Sequence, residues 1–218
     1  MIITIDGPAA AGKGTLANKL AQKYKLAYFD TGMVYRAVGL DLVLQGLDPE
    51  DSEKALSAAK NLTFAKMIDL SKHIDFRSNI GGQAASKVAS LPEVRAALLK
   101  MQQDFALTPQ FADGSAADGV VYDGRDTGTV VCPNADLKLF ITASPEVRAM
   151  RRHKEYIDKG LASNYEEVLA QTKERDIRDT TRSSAPLKPA DDAIVIDTSD
   201  MAIDDVFNRV CKILESRK

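Results

Sequence analysis

The stretch Gly7-Pro8-Ala9-Ala10-Ala11-Gly12-Lys13-Gly14-Thr15 holds the residue types that grip polyphosphate. Gly7 and Gly12 let the backbone wrap with its N–H groups turned inward. Lys13 offers a point charge to the phosphates, and Thr15 a hydroxyl beside a metal ion. The common form of this pattern puts Ser or Thr directly after the lysine, whereas here Gly14 intervenes.

A second group, Tyr122-Asp123-Gly124-Arg125-Asp126-Thr127-Gly128, follows an apolar run. Asp123 has the form of a carboxylate that positions Mg²⁺, through water. Arg125 stands two residues on and can fork onto a phosphate. A third group is arginine-rich. Arg148 with Arg151 or Arg152, and Arg175 with Arg178 and Arg182, fall at helical spacing. Like charges stacked this way repel unless an anion lies between them, so an anion is expected there. Glu174, Asp176 and Asp179 offer the alternative of a solvated helix with local ion pairs.

These residues need elements to hold them. Residues 2–6 are β-branched and nearly all apolar, and read as a buried strand. Leu16, Leu20 and Ala21 fall on one face of a helix over residues 13–23. That strand, loop and helix give the phosphate loop its context, because a helix N-terminus favours anions. Further strands are expected at 26–29, 120–123, 137–142 and 193–197. Helices are expected from Met33 to about Leu44, up to Lys60 behind an Asp51 or Ser52 cap, and from Glu93 to about Phe105. More follow from Pro145 to about Ile157, from Tyr165 to Thr180 and from Ile203 to Leu214. The pairs Leu62-Thr63-Phe64 and His73-Ile74-Asp75-Phe76 read as two short strands, and residues 79–82 as a turn. Alternating strands and helices predict an α/β fold with a parallel sheet covered on both faces. The third strand lies far from the second along the chain. A substrate-binding subdomain is therefore expected over roughly 35–115, and a smaller mobile lid over 148–182.

Bulk properties narrow the class. The chain has 218 residues, 44% hydrophobic and 28% charged, enough for one α/β domain with insertions. A net charge of −2 provides no global field for nucleic acid. Cys132 and Cys211 have no metal-ligand spacing and read as small buried hydrophobes. No apolar run approaches a membrane span, and a strand starting at Ile2 leaves no room for a leader. A soluble, cytoplasmic protein is the expectation.

With these residues in view, the chain resembles bacterial cytidylate kinases along its whole length. Four motifs carry the resemblance: ITIDGPAAAGKGT at 3–15, DTGMVYR at 30–36, YDGRDTGTVV at 122–131 and RDIRDTTRSSAPL at 175–187. The GKGT ending itself is typical of small-molecule kinases such as nucleoside monophosphate kinases. The resemblance implies a P-loop NTPase fold: a five-stranded parallel sheet with helices on both faces, plus NMP-binding and lid subdomains. It divides the chain into a core at 1–34, 116–147 and 183–218, an NMP-binding part at 35–115 and a lid at 148–182. Gly7, Ala10, Gly12, Lys13, Gly14 and Thr15 become the ATP-binding set, with Thr15 and Asp123 serving Mg²⁺. Arg36 and Arg125 look like the clamps on the acceptor phosphate, and Thr31 stands near the acceptor base. Ser86, Arg95, Asp126 and Arg182 resemble positions that read cytosine, while Arg175 and Asp179 resemble those that reach the ribose. Lys13, Arg125 and Arg178 are the catalytic expectation, Arg178 as a lid arginine bridging phosphates. One departure is the short segment between Leu62 and Gln83, where longer members carry a β-rich insert.

The implied reaction is ATP-dependent phosphorylation of CMP and dCMP, by a monomer that binds neither membrane nor nucleic acid. UMP, AMP or shikimate as acceptor is the rival within enzymes. A nucleotide-dependent switch would require a base-reading Asn-Lys-x-Asp, which is absent from the chain.

Overall fold

The computed structural model describes residues 1–217. Five strands form one wholly parallel sheet in the order β2-β3-β1-β4-β5. They are β1 (Ile2–Asp6), β2 (Ala27–Asp30), β3 (Val120–Gly124), β4 (Leu137–Thr142) and β5 (Ile194–Asp197). β1 is central, pairing with β3 on one side and β4 on the other. Its apolar run suits a strand buried on both faces.

Alternation along the strands assigns the two faces. Ile3, Ile5 and Val121 pack with α1 (Lys13–Tyr24) and α9 (Ile203–Glu215) through Leu16, Leu20, Val206 and Val210. Val120, Tyr122 and Phe29 face the other way. They join α2 (Gly32–Leu44), α3 (Ser52–Lys60), α5 (Asn79–Val88) and α6 (Pro92–Leu107) in a second core. Tyr122 keeps its hydroxyl satisfied there by donating to the Gln102 carbonyl at 2.6 Å. Asp51 caps α3, accepting from the Glu53 and Lys54 amides at 3.1 Å each. α7 (Pro145–Asp158) and α8 (Tyr165–Thr181) pack together beyond β4.

The segment 62–83 departs from the expected strand pair. It forms α4 (Phe64–Leu70) and a 3₁₀ turn (Ile74–Arg77), and α5 already starts at Asn79, where a turn was expected. Local caps explain the outcome. Thr63 Oγ1 accepts from the Lys66 amide, His73 Nδ1 from Asp75 and Ser78 Oγ from Ile80, at 3.2, 3.2 and 3.1 Å. Met67 and Phe76 are the buried anchors, one per turn rather than alternating. Gly81 lets α5 press onto the 3₁₀ turn, since a Cβ there would lie 2.4 Å from the Asp75 carbonyl.

Both cysteines are buried and unpaired. Among the described residues no helix is long and apolar enough to cross a membrane.

Candidate active site

Asp6, Asp30 and Asp123 lie at the C-terminal ends of the neighbouring strands β1, β2 and β3, on the same edge of the sheet. Parallel register aligns Asp30 with Asp123 and sets Asp6 beside Gly124. Ligands of open parallel sheets bind at this edge. A cavity of about 570 Å³ opens there.

The phosphate loop forms one wall. Gly7 has φ +145°, and a Cβ there would lie 1.9 Å from the Ile141 carbonyl oxygen, so only glycine fits. Ala10 (φ 60°) and Gly12 (φ 93°) complete the turn into α1. Lys13 lies folded inside it, donating to the Pro8 carbonyl at 2.8 Å, with Nζ 3.9 Å from Asp123 Oδ1. Burial drives Lys13 below the ordinary lysine range, helped by Arg125, although Asp123 and Asp6 pull it upward. Burial likewise raises Asp123, against the lowering influence of Lys13. A polyphosphate would restore the charge on this lysine.

Asp6 does not face the ligand space. It accepts from the Thr127 amide and hydroxyl at 2.8 Å each and from the Gly128 amide at 2.7 Å. It thereby pins the wide π-type turn Thr127–Val131 that follows Asp126. Thr31 is also committed, its amide and hydroxyl both donating to the Asp123 carbonyl at 2.9 Å. It laces β2 to β3 while lining the cavity.

Opposite the loop stands a wall of charge. Arg125 donates from Nε to Asp179 Oδ2 on α8 at 3.1 Å, and Arg175 Nε lies 3.8 Å from the same oxygen. Burial alone would raise Asp179, but Arg125, Arg175 and Arg182 hold it below the usual carboxylate range. Arg175 falls to about 9, from burial first and then from Arg125 beside it. Arg95 pairs with Asp126, stacks over the Tyr35 ring at 5.2 Å and donates to the Ala89 carbonyl at 3.2 Å. Arg182 Nη2 lies 4.0 Å from Asp126 Oδ1. Arg95 Nε, Arg175 Nε and Arg182 Nη2 are buried without a hydrogen-bond partner among the described residues. Buried orphan donors next to an open cavity mark where a ligand's acceptors belong.

The cavity thus gathers Ala10, Gly12, Lys13, Gly14, Thr15, Thr31, Arg36, Ser86, Arg95, Asp123, Arg125, Asp126, Arg175, Asp179 and Arg182. Gly7 shapes the loop from behind and does not line it. Arg178 does not line it either: its guanidinium donates to Ser86 Oγ at 2.8 Å and to Glu174 at 2.5 Å. Arg148, grouped by spacing with Arg151 and Arg152, also points elsewhere and binds Asp176.

Sequence reading passed over Asp30, Tyr35 and Arg77 as site residues, though all three line the cavity. Asp30 had a signal, since it lies at the C-terminal end of its strand as Asp123 does. Arg77 had none, because it depends on the 3₁₀ turn. Arg36, which donates to the Phe76 carbonyl at 3.0 Å, reaches that same turn. A second cavity of about 250 Å³ adjoins the loop, lined by Gly12, Thr15, Ile141, Met201, Ile203 and Val206 with Arg151 and Thr198. It too went unread.

For Mg²⁺ the donor set fits. Thr15, Asp30 and Asp123 share the cavity, yet the described residues hold no cluster of three or more acidic, His or Cys side chains that could hold a metal ion. Magnesium keeps several waters and takes phosphate oxygens rather than a full protein cage.

The family model described as "Cytidylate kinase" matches residues 3–216. The chain is 54% identical over 217 residues to the cytidylate kinase of Paramagnetospirillum magneticum, covering 100% of this chain and 99% of that one. It is 49% identical to the cytidylate kinase of Rhodospirillum rubrum, covering 98% and 97%. In fold it is similar to an uncharacterized protein from Eubacterium ventriosum, with a TM-score of 0.53 at 14% identity, covering 99% and 98%. The chain belongs to the cytidylate kinase family.

Proposed function

We propose that this chain transfers the γ-phosphoryl group of ATP to CMP and dCMP, giving CDP or dCDP and ADP. The observation that supports this most is the buried polar cluster of Arg95, Asp126, Arg182 and Ser86, which shares a cavity with the phosphate loop. Cytosine carries an exocyclic amine that a carboxylate accepts from, and a ring N3/O2 edge that arginine and serine donate to.

Lys13 and the loop amides take the ATP phosphates. The second, apolar cavity beside Gly12 is the place for the adenine ring, flanked by Arg151. Arg36 and Arg125 clamp the acceptor phosphate, with Arg175 and Asp179 toward the ribose. Thr31 stays near the acceptor through its anchored backbone. Arg178 is assigned to orient Ser86 rather than to bridge phosphates, because both of its terminal nitrogens are engaged, Nη1 with Ser86 and Nη2 with Glu174. Thr15 and Asp123, with Asp30 nearby, hold Mg²⁺ through water, and the ion when bound offsets the charge of the transferring phosphoryl group.

The acceptor phosphate is already largely ionised near neutral pH, so it needs no strong base. The chain's contribution is to align the two phosphates and neutralise their repulsion. Lid closure over 148–182 would exclude water as a competing acceptor. We place this chemistry in the cytoplasm and in a monomer, with residues 35–115 as the acceptor-binding part.

Incubation with γ-labelled ATP and CMP tests the reading directly. Label should pass to CDP. Release as inorganic phosphate, with CMP unchanged, would reject the assignment.

A further inference from the structure

Arg148 sits at 2% exposure, yet it faces no ligand space. All three of its guanidinium nitrogens donate to protein. Nε donates to the Ala143 carbonyl at 2.8 Å, and Nη1 to the Ala9 carbonyl at 3.3 Å. Nη1 and Nη2 fork onto Asp176, at 3.0 Å to Oδ1 and 2.5 Å to Oδ2. Each partner belongs to a different part of the fold. Ala143 opens the β4–α7 junction, Ala9 lies in the phosphate loop and Asp176 is on α8.

α8 is the helix that carries Arg175, next to Asp176, and Asp179, three residues on. Both line the cavity. One guanidinium therefore ties the loop holding Lys13 to the helix facing the acceptor. A buried ion pair is a poor source of net stability, because an apolar pair of similar volume often does as well or better. What an apolar pair lacks is direction. A two-pronged fork fixes both the distance and the rotation of its carboxylate, and lysine cannot reproduce it. Arg151, one turn along α7, adds a related tie: it donates to Thr198, whose hydroxyl lies 3.3 Å from the Ala11 carbonyl.

We propose that Arg148 is a positioning residue, which sets α8 against the phosphate loop through Asp176 and so places Arg175 and Asp179 for phosphoryl transfer. The proposal rests on the kinase reading for its kinetic consequence, but not for its structural one.

The test compares the full-length wild type with Asp176→Asn, Asp176→Glu, Arg148→Lys and the double variant Arg148→Lys/Asp176→Asn. Two readouts are taken: amide hydrogen exchange without ligand, and steady-state kinetics with ATP and CMP. Asp176→Asn should speed exchange of the α8 amides about tenfold while β1, β3 and β4 keep wild-type protection. The KM for CMP should rise about tenfold, and that for ATP by less than about twofold. Asp176→Glu retains the charge on a longer arm and should fall between, which keeps the test open if the asparagine variant folds poorly. The double variant should be no worse than Arg148→Lys, since both changes cut one link. Exchange that rises uniformly with both KM values unchanged would reduce the pair to general packing and overturn the proposal, as would additive effects. If the wild type transfers nothing to CMP, the kinase reading fails. The exchange data still decide whether the tie exists.

Discussion

Lys13 and Asp123 face one another at 3.9 Å because β1 and β3 are parallel neighbours, so a loop after one strand meets the carboxylate ending the other. Both are nearly buried at the wall of the cavity, with side chains 5% and 13% exposed. Two opposite charges are thus kept poised in a space that a nucleotide and its metal would fill.

Replacing Lys13 with alanine should lower kcat by about 10²–10³-fold, the usual loss for one aligned charged donor. KM for CMP should change little. Because Lys13 is buried beside Asp123, thermal unfolding must first show that the variant remains native. A native variant with near-normal turnover would remove Lys13 from the mechanism.

Protonation gives a second prediction. Burial lowers Lys13 to about 7 in the folded chain, while an unfolded lysine titrates near ~10.4. The unfolded state therefore binds the extra proton between those values, and this residue's contribution makes stability rise with pH across that window. Polyphosphate reverses the shift by favouring the ammonium. ATP binding at pH 8.5 should take up about one proton, read by calorimetry in buffers of different ionisation heat. Lys13→Met should abolish the uptake. Wild-type binding heats that are independent of buffer would contradict the depressed lysine.

Asp126→Asn should raise the KM for CMP by about tenfold or more while leaving that for ATP within about twofold. The amide still accepts from Arg95 but no longer balances the charges of Arg95 and Arg182. Asp126→Ala would also strand two buried guanidinium groups, and should cost about 3–5 kcal/mol in urea unfolding. Unchanged kinetics in the asparagine variant would move Asp126 away from the base.

Gly14 and Gly7 should fail differently. A Cβ at Gly14 would stand 3.2 Å from Asp123 Oδ2 and 3.7 Å from the Tyr28 hydroxyl, so Gly14→Val should fold and lose activity. At Gly7 a Cβ would meet backbone at 1.9 Å in a left-handed conformation, so Gly7→Ala should lose at least about 2–3 kcal/mol of stability. Paired urea titration and turnover measurements separate the two.

The elements that pattern strongly were legible from residues alone. Periodicity and capping located all five strands, and the long helices to within a residue or two. What escaped was decided either by local caps that leave no periodic pattern or by contacts distant in sequence. The segment 62–83 lacks a clean period, and its helices depend on Thr63, His73 and Ser78 caps around the buried Phe76. Spacing correctly put Arg148 and Arg178 on helices with the other arginines. It could not tell that Asp176, Ser86 and Glu174 would take their donors. Asp6 gave no hint of its role, because the amides it holds are those of Thr127 and Gly128 across the sheet.

The central claim is that the cavity selects a cytosine nucleotide as phosphoryl acceptor. ADP release from ATP, measured with CMP, dCMP, UMP, AMP and shikimate in turn, tests it most directly. The account predicts kcat/KM for CMP and dCMP at least about 10²-fold above the other three, because UMP presents a carbonyl to Asp126 where cytosine presents an amine. Equal use of UMP or AMP, or ADP release that ignores the acceptor, would contradict it.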